Sequence, residues 1–264
     1  MQLPGKTSSP SMNITKRKYF APYSQAIGNQ IKDLLTRFDF SEANGQFDYL
    51  TKASAVYSSN IEGNSVDLNS YMNYELSREK SQPGKEIEEI ENLVAAYSFA
   101  QQKTLTEANL LHCHKMFSET FLIKSKRGAY RIEPVGVFGK TGMAYLAVEP
   151  EFIGKEMETF FSGIAELIAS PLTTEEIFYF AALLHLRFAH IHPFRDGNGR
   201  AARLLEKWFL AEKLGQQFWK IPSEHYYKEH QPEYYATIHL GINFYELDYD
   251  KCIDFLTMLP KCLI

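Results

Sequence analysis

The chain has 264 residues, of which 45% are hydrophobic and 23% charged, and its formal net charge at pH 7 is −4. These values are typical of a globular protein in water and argue against a general nucleic-acid binder, whose surface would be basic. No signal peptide and no membrane-spanning apolar run is visible, and the three cysteines lack CxxC spacing, so we expect a reducing, cytoplasmic location.

Helical periodicity dominates the first hundred residues. Residues 1 to about 20 are rich in Ser, Pro, Lys and Thr and are predicted to be a loose arm. Apolar residues spaced by three and four predict a helix over 24–38 and a second helix that ends at Gly63 as its C′ residue. Further helices are predicted over 67–76 and 86–101.

Thr104 and Glu107 have the spacing of a capping box, which predicts a helix from there to about Phe117. His112 and His114 lie on this helix. Side chains that are two positions apart on a helix point in different directions, so packing is favoured over metal binding for both.

The segment 127–148 contains the one β-like pattern of the chain. Val135 and Val137 alternate with Gly136, the sequence Gly-Lys-Thr-Gly at 139–142 forms a turn, and apolar residues then return. The pattern predicts a small hairpin beside a helical bundle.

A nearly all-apolar helix is predicted from a capping box of Thr173 and Glu176 to about Ile191, after an earlier helix over 152–168. The pair His190 and His192 could suggest zinc. Because no third ligand has suitable spacing, His190 is expected to be satisfied in the core instead.

The loop that follows this helix has the features of an anion site. Pro193 ends the helix near His192, and Phe194 is predicted to turn inward as an anchor. Gly197 and Gly199 permit positive φ and close backbone approach, so that successive N–H groups can point at one anion. A helix that starts near Asn198 adds its positive dipole end.

Four side chains between residues 192 and 203 suit phosphate chemistry. Arg200 and Arg203, three positions apart, can bind phosphate oxygens from one side of the helix. Asp196 is a hard oxygen ligand for a magnesium ion shared with phosphates. His192 titrates near neutrality and can accept a proton from an attacking hydroxyl.

The stretch from His192 to Arg203 resembles the signature of the Fic family, His-x-Phe-x-(Asp/Glu)-Gly-Asn-Gly-Arg-x-x-Arg, at every fixed position. The resemblance implies a mostly helical enzyme that transfers AMP from ATP to a protein hydroxyl. It implies that His192 is the base, that Asp196 holds Mg²⁺, and that the triphosphate is bound by Gly197, Asn198, Gly199, Arg200 and Arg203. Glycine at 199 favours AMP transfer, because a relative, the Doc toxin, has lysine there and transfers the γ-phosphate.

The end of the second helix, Ser58-Ser-Asn-Ile-Glu62-Gly63, has two interpretations. It can be an ordinary helix C-terminus with a solvated glutamate. It also resembles (Ser/Thr)-x-x-x-Glu-(Gly/Asn), the inhibitory motif of many Fic proteins, with Ser58 and Glu62 on one helix face. The resemblance implies that Glu62 engages Arg203, denies it to the γ-phosphate and misorients bound ATP.

Two further features are assigned by the same resemblance. The hairpin at Val135, Gly136 and Val137 would be the flap, which clamps a target segment by strand-like backbone pairing. Tyr234 and Tyr235 resemble a pair that lies near the adenine in Fic proteins, although two aromatic core residues are an equal alternative.

The sequence therefore predicts an all-α fold, a Fic-type helical bundle with a β-hairpin flap, built as one compact unit. Residues 1–82 would contribute the arm and the inhibitory helix, and 83–264 the catalytic core with its C-terminal helices. The implied activity is Mg²⁺-dependent transfer of AMP from ATP to a Ser, Thr or Tyr hydroxyl of a target protein or of the chain itself. Relatives often pair through helical faces, which implies a homodimer. No membrane or nucleic-acid partner and no appended winged-helix domain is expected.

Three alternatives stay open. The chain could be a hydrolase that removes AMP from a modified protein, with Glu62 positioning a water molecule. It could transfer a phosphate or another nucleoside monophosphate, such as UMP. It could also be a non-catalytic nucleotide-sensing module, which the intact His192 disfavours.

Overall fold

Two buried helices, α8 (Thr174–Ile191) and α9 (Asn198–Leu214), form the centre of the molecule. The structure is a computed structural model that describes residues 13–40, 46–77, 83–139 and 142–264. Side chains on all faces of both helices are buried, and the other elements pack around them. The predicted all-α fold with a small hairpin is confirmed.

The N-terminal elements are α1 (Phe20–Tyr23), a π-helical segment (Ser24–Gly28), α2 (Asn29–Arg37), α3 (Gln46–Ile61), α4 (Leu68–Ser77), α5 (Lys85–Ala100) and α6 (Glu107–Phe117). The hairpin β1 (Gly136–Gly139) and β2 (Gly142–Leu146) and the helix α7 (Pro150–Ala169) precede α8 and α9. The chain continues with α10 (Ser223–Glu229), α11 (Gln231–Ile238), α12 (Ile253–Leu256) and α13 (Met258–Lys261). Short 3₁₀ turns at Lys124–Lys126, Gln216–Lys220, Phe244–Glu246 and Tyr249–Lys251 connect some of them.

Local sequence signals explain where the central helix begins and ends. Thr173 and Glu176 form the predicted capping box at its N-terminus, each side chain bonding the backbone N–H of the other residue. The helix ends at Ile191 because the following residue, His192, precedes a proline and is disfavoured in the right-handed helical region. Both predictions are confirmed.

The hairpin is an antiparallel two-stranded sheet in which Gly136 pairs with Leu146 and Val137 with Tyr145. Its register shifts between Val137 and Phe138, as at a β-bulge. Val135 lies just before β1, and its carbonyl accepts from Ala147 N–H at 3.2 Å. The turn residues 140 and 141 lie outside the described residues.

The N-terminal arm is more ordered than predicted over its described part, residues 13–20. Ile14 is buried against Gly163 of α7, where a Cβ atom would come within 2.7 Å of the Ile14 side chain. Arg17 is paired with Glu176 at the start of α8, at 2.6 Å. Apolar burial and this ion pair therefore fix a segment whose composition indicated a loose arm; residues 1–12 lie outside the described residues.

The capping box predicted at Thr104 is wrong by two positions. The helix is capped by Thr106, whose side chain accepts from Asn109 N–H at 3.2 Å, while the Thr104 carbonyl accepts from the Asn109 side chain at 2.9 Å. Leu105 is buried and its N–H donates to Glu212 of α9 at 2.5 Å. This tertiary contact keeps the backbone extended for two more residues.

None of the helices in the described part of the chain is long and apolar enough to cross a membrane. The predicted division of the chain into residues 1–82 and 83–264 stays a prediction.

Candidate active site

The loop between α8 and α9 reverses the chain through two left-handed residues. His192 has φ 52° and is the one non-glycine residue with positive φ among those described; Gly197 has φ 84°. A side chain on Gly197 would meet the Phe117 ring at 2.9 Å, so this position requires glycine for two reasons. Strain at a non-glycine residue such as His192 is typical of functional sites.

The middle of the loop is fixed from within. Phe194 is fully buried, as predicted, and its ring stacks on His114 with the centroids 3.6 Å apart. The side-chain amide of Asn198 accepts from Phe194 N–H at 2.8 Å and donates to its carbonyl at 2.9 Å. Asn198 therefore braces the loop, and direct nucleotide binding by its side chain stays a prediction.

His192 has the protonation state of a base. Its Nδ1 lies 3.1 Å from the carbonyl of Ala189, which requires a proton on Nδ1 and leaves the lone pair on Nε2. Burial lowers the pKa of His192. The imidazole is therefore neutral at pH 7 and can accept a proton at Nε2.

The start of α9 and the loop before it carry the side chains that are predicted to bind phosphate and Mg²⁺. The exposed Asp196 uses one carboxylate oxygen to accept from Gly197 N–H at 2.6 Å. Arg200 is buried over the Phe121 ring, 4.2 Å from its centroid, and its Nη1 lies 2.9 Å from the Glu89 carboxylate of α5. Within the described residues the buried Arg200 Nε has no hydrogen-bond partner.

Arg203 is held by the C-terminal end of α3. Its Nε donates to Ser58 Oγ at 2.9 Å, and its Nη2 donates to the Ser58 carbonyl at 2.9 Å and to Glu62 Oε1 at 2.7 Å. Arg203 is fully buried, whereas the Glu62 side chain is 27% exposed. Burial tends to raise the pKa of Glu62, but the charges of Arg203 and Arg200 outweigh this and lower it, so the carboxylate is ionised.

The Glu62 carboxylate also lies directly over Gly199. A Cβ atom added at Gly199 would come within 2.2 Å of Glu62 Oε1. Gly63 fixes this arrangement: at φ 100° it allows Gly63 N–H to bond Asn60 O and Asn64 N–H to bond Ser59 O, the two bonds of a Schellman motif. The predicted C′ role of Gly63 is confirmed, and a carboxylate occupies the space above the helix N-terminus.

Comparisons with known proteins agree with this geometry. Residues 104–210 match the Fic/DOC family, a range that contains α6, the hairpin and the whole loop. Over this range the chain is similar to a Fic domain.

Two curated relatives are protein adenylyltransferases by name. The protein adenylyltransferase Fic of Nematostella vectensis is 30% identical over 161 residues, which cover 57% of this chain and 35% of the relative. The protein adenylyltransferase fic-1 of Caenorhabditis elegans is 30% identical over 97 residues, 37% of this chain and 17% of the relative. The chain thus spans about a third or less of the length of these relatives.

Solved structures share the fold. A Fic family protein from Desulfovibrio desulfuricans G20 superposes with a TM-score of 0.67 at 21% identity, over 99% of this chain and 75% of the other. A Fic domain containing signaling protein from Bacteroides thetaiotaomicron gives a TM-score of 0.67 at 23% identity, over 91% of this chain and 92% of the other.

The tyrosine pair at 234 and 235 is divided between core and surface. Tyr234 is buried, and its hydroxyl lies 2.9 Å from His185 and accepts from Arg203 Nη1 at 3.3 Å. Tyr235 is 46% exposed and donates to the carbonyl of Ile61 at the end of α3. Of the two rings, Tyr235 is the one available to a ligand, and its contact with an adenine stays a prediction.

The hairpin lies beside the loop as expected for a flap. Tyr145 donates to the His190 carbonyl at 2.6 Å, close to the C-terminal end of α8 and the loop that follows it. β2 is covered at Leu146, which forms a parallel bridge with Asn243, whereas in the described part of the chain β1 pairs with β2 alone. Pairing of the free β1 edge at Val137 with a target segment stays a prediction. His190 is satisfied in the core by Tyr249 and the Ile238 carbonyl, as predicted.

Sequence reasoning missed three residues that hold the site. Glu89 pairs with Arg200, and His114 and Arg131 contact the loop backbone. Helical periodicity places Glu89 on α5 but does not indicate that it pairs with Arg200, which lies far along the chain. His114 was predicted to be a packing residue; its ring nitrogens bond the backbone of Asp196 and Gly128.

Proposed function

We propose that this chain is a Mg²⁺-dependent protein adenylyltransferase that transfers AMP from ATP to a Ser, Thr or Tyr hydroxyl of a target protein or of itself, and that Glu62 inhibits it. One observation carries the proposal: the Glu62 carboxylate lies on Arg203 and over Gly199, at the N-terminus of α9 and beside the neutral His192. A carboxylate held at the N-terminus of a helix supports the proposal that this site binds anions.

The residues present suit ATP as substrate. Arg200 Nε is buried without a hydrogen-bond partner in the described part of the chain, so a donor is available to a phosphate oxygen. Gly199 has no side chain where the carboxylate now lies, and a phosphate oxygen could replace that carboxylate. The first N–H groups of α9 point the same way, since a helix N-terminus leaves them without helical partners.

The site also suits Mg²⁺. Among the described residues no group of three or more His, Cys, Asp or Glu side chains could hold a metal ion by itself. Mg²⁺ bound with a nucleotide needs only one or two carboxylates besides phosphate oxygens and water. Asp196 is exposed and uses one oxygen on Gly197 N–H, so its other oxygen would hold the ion, which would offset phosphate charge when bound.

The transfer step requires a base, a positioned hydroxyl and stabilisation of the leaving group. His192 Nε2 takes the proton from the target hydroxyl, whose oxygen forms a bond to the α-phosphorus of ATP. The bond from the α-phosphorus to the bridging oxygen breaks and pyrophosphate leaves. Arg200 and Arg203 offset its charge once Glu62 no longer holds Arg203.

Inhibition follows from the same contacts. While Glu62 holds Arg203, four of the five guanidinium N–H groups donate to Ser58, Glu62 and Tyr234, and the Glu62 carboxylate lies where a γ-phosphate oxygen would have to bind. The helix end that presents Glu62 is itself held: Lys228 donates to the Asn60 carbonyl at 3.0 Å, and Gln231 to the Ile61 carbonyl at 2.8 Å. These bonds support a resting state that is closed to productive ATP binding.

The partners are proposed on the same basis. The β1 edge at Gly136 and Val137 would bind an extended target segment by backbone pairing, with Val135 at its base. A second copy of the chain is one such target, and a homodimer is proposed as the assembly in which the chain modifies itself. A cytoplasmic location is proposed from the cysteine usage alone, all three thiols being buried and free.

The test is incubation with ATP labelled at the α-phosphate and Mg²⁺, comparing the wild type, Glu62→Gly and Glu62→Gly/His192→Ala. We expect label on protein chiefly with the single variant and none with the double variant. Glu88→Gly, which removes an exposed glutamate of α5, is the matched control and should label like the wild type.

Other outcomes separate the alternatives. Label from UTP rather than ATP would indicate transfer of a different nucleoside monophosphate. Label in no lane, with AMP released from a previously modified protein, would favour the hydrolase. Nucleotide binding without either reaction would favour a sensing module and refute the proposed enzyme.

A further inference from the structure

Two buried side chains from outside the motif hold the loop at its two ends. Arg131 lies in the segment just before the hairpin and is 2% exposed, and His114 of α6 is fully buried. Arg131 contacts the backbone at His192 and Pro193, and His114 contacts the backbone at Asp196. These two ends carry the proposed base, His192, and the proposed metal ligand, Asp196.

Arg131 joins the loop to the base of the hairpin. Its Nε donates to the His192 carbonyl at 2.7 Å, and its own N–H donates to the Pro193 carbonyl at 2.9 Å. The same guanidinium donates to the carbonyls of Glu133 at 3.0 Å and Val148 at 2.6 Å, which lie on either side of the hairpin. A rigid fork of this kind fixes several acceptors relative to one another, which a lysine ammonium cannot do.

His114 makes the corresponding connection at the other end. Its Nδ1 accepts from Gly128 N–H at 2.9 Å, so the proton must be on Nε2, which lies 3.0 Å from the Asp196 carbonyl. Its ring stacks on Phe194 in the middle of the loop. Gly128, at φ 65°, precedes Arg131 by three positions, so both contacts come from one short segment.

We propose that Arg131 and His114 are positioning residues that join the flap and the catalytic loop into one rigid unit, so that a hydroxyl seated on the flap meets His192 Nε2. The inference rests on the proposed transfer for its role in catalysis, but the mechanical connection can be measured without any reaction. A misplacement of about 1 Å at a reacting group can lower a rate by roughly a hundredfold, so loss of this connection should slow the transfer step.

Arg131 also acts through its charge. The charged groups that face His192 are Arg131 from the flap lead-in, Asp196 from the loop and Glu62 from α3, and of these Arg131 favours the neutral imidazole. In a Glu62→Gly background, Arg131 and Asp196 remain. Removing the charge of Arg131 should therefore move the acid limb of the pH–rate profile to higher pH, whereas Arg131→Lys should leave it in place.

The experiment measures kcat and KM for ATP in the Glu62→Gly chain with Arg131→Lys, Arg131→Gln, His114→Asn or His114→Gln added. We expect kcat to fall roughly tenfold to a hundredfold with KM for ATP changed less than threefold. His114→Gln can still reach the Asp196 carbonyl and His114→Asn cannot, so the asparagine variant should lose more. The acid limb should shift only in Arg131→Gln.

Arg187→Lys is the matched control, because Arg187 is also 2% exposed but contacts Glu156 and Tyr249. Amide hydrogen exchange of the loop and of the hairpin strands should accelerate together in Arg131→Lys and remain unchanged in Arg187→Lys. Exchange that is unaltered in Arg131→Lys and His114→Asn overturns the inference whatever the activity. A Glu62→Gly parent that transfers no label, with this exchange result as expected, refutes the proposed function alone.

Discussion

Replacing Glu62 with glycine should raise the affinity for ATP more than the affinity for ADP. Arg203 is fully buried, and its bond to Glu62 Oε1 at 2.7 Å must break before the guanidinium can bind a γ-phosphate. A hydrogen bond between charged groups contributes about 1.5–3 kcal/mol. Its prior removal should therefore raise ATP affinity by roughly ten- to a hundredfold, since each 1.4 kcal/mol is about tenfold.

Titration calorimetry with ATP and with ADP, both with Mg²⁺, measures this difference. His192→Ala and Glu62→Gly/His192→Ala are compared, so that no turnover disturbs the binding signal. Glu62→Gln in the same His192→Ala background should lie between them, because a carboxamide can accept the bond but carries no charge. Equal gains for ATP and ADP would refute competition with the γ-phosphate, and no gain for either would refute competition altogether.

Three further results are expected. Lys228→Ala/Gln231→Ala should raise transfer several-fold with Glu62 intact, because two donors that hold the end of α3 are lost. Lys213→Ala removes a similar donor from the end of α7 and should leave the rate of transfer unchanged. Gly197→Ala should lower the free energy of unfolding in urea by about 1–3 kcal/mol and reduce transfer, because φ is 84° and Phe117 is 2.9 Å away. In the Glu62→Gly chain, the rate should fall at acid pH as His192 becomes protonated, and because its pKa is lowered by burial the midpoint of this fall should lie below pH 6.5.

Local signals in the sequence predicted much of the fold. The capping box of Thr173, the proline after His192 and the glycine at the end of α3 each act within a few residues, so they can be read without knowledge of distant partners. The central helix and the loop were predicted correctly for this reason.

Boundaries set by distant contacts were predicted less well. The start of α6 was wrong because Glu212, far along the chain, holds Leu105 extended. The sequence pattern over 231–242 also predicts a single helix, but α11 ends at Ile238, whose carbonyl bonds His190, and the Ile242 carbonyl accepts from Leu146 N–H of the hairpin. Neither contact leaves a trace in the local pattern.

The site residues also divide into those that local sequence predicts and those whose role depends on distant contacts. The motif gave His192, Asp196 and both arginines, because their spacing alone places them on one short loop and one helix face. Glu62 lies 141 positions before Arg203, and only the resemblance joined the two. The lead-in that ends at Arg131 resembles the family, but neither it nor the helix of His114 shows in sequence which carbonyls these side chains reach, and their importance comes from those contacts.

The two sets of contacts around the loop differ in chemistry, and this difference suits a regulated enzyme. Arg131 and His114 hold the loop through backbone groups, which a nucleotide cannot replace without unfolding the segment. Glu62 holds Arg203 through a carboxylate, and a phosphate can take its place. Removing one acidic side chain should thus release the site, while the loop and the flap keep the geometry that transfer requires.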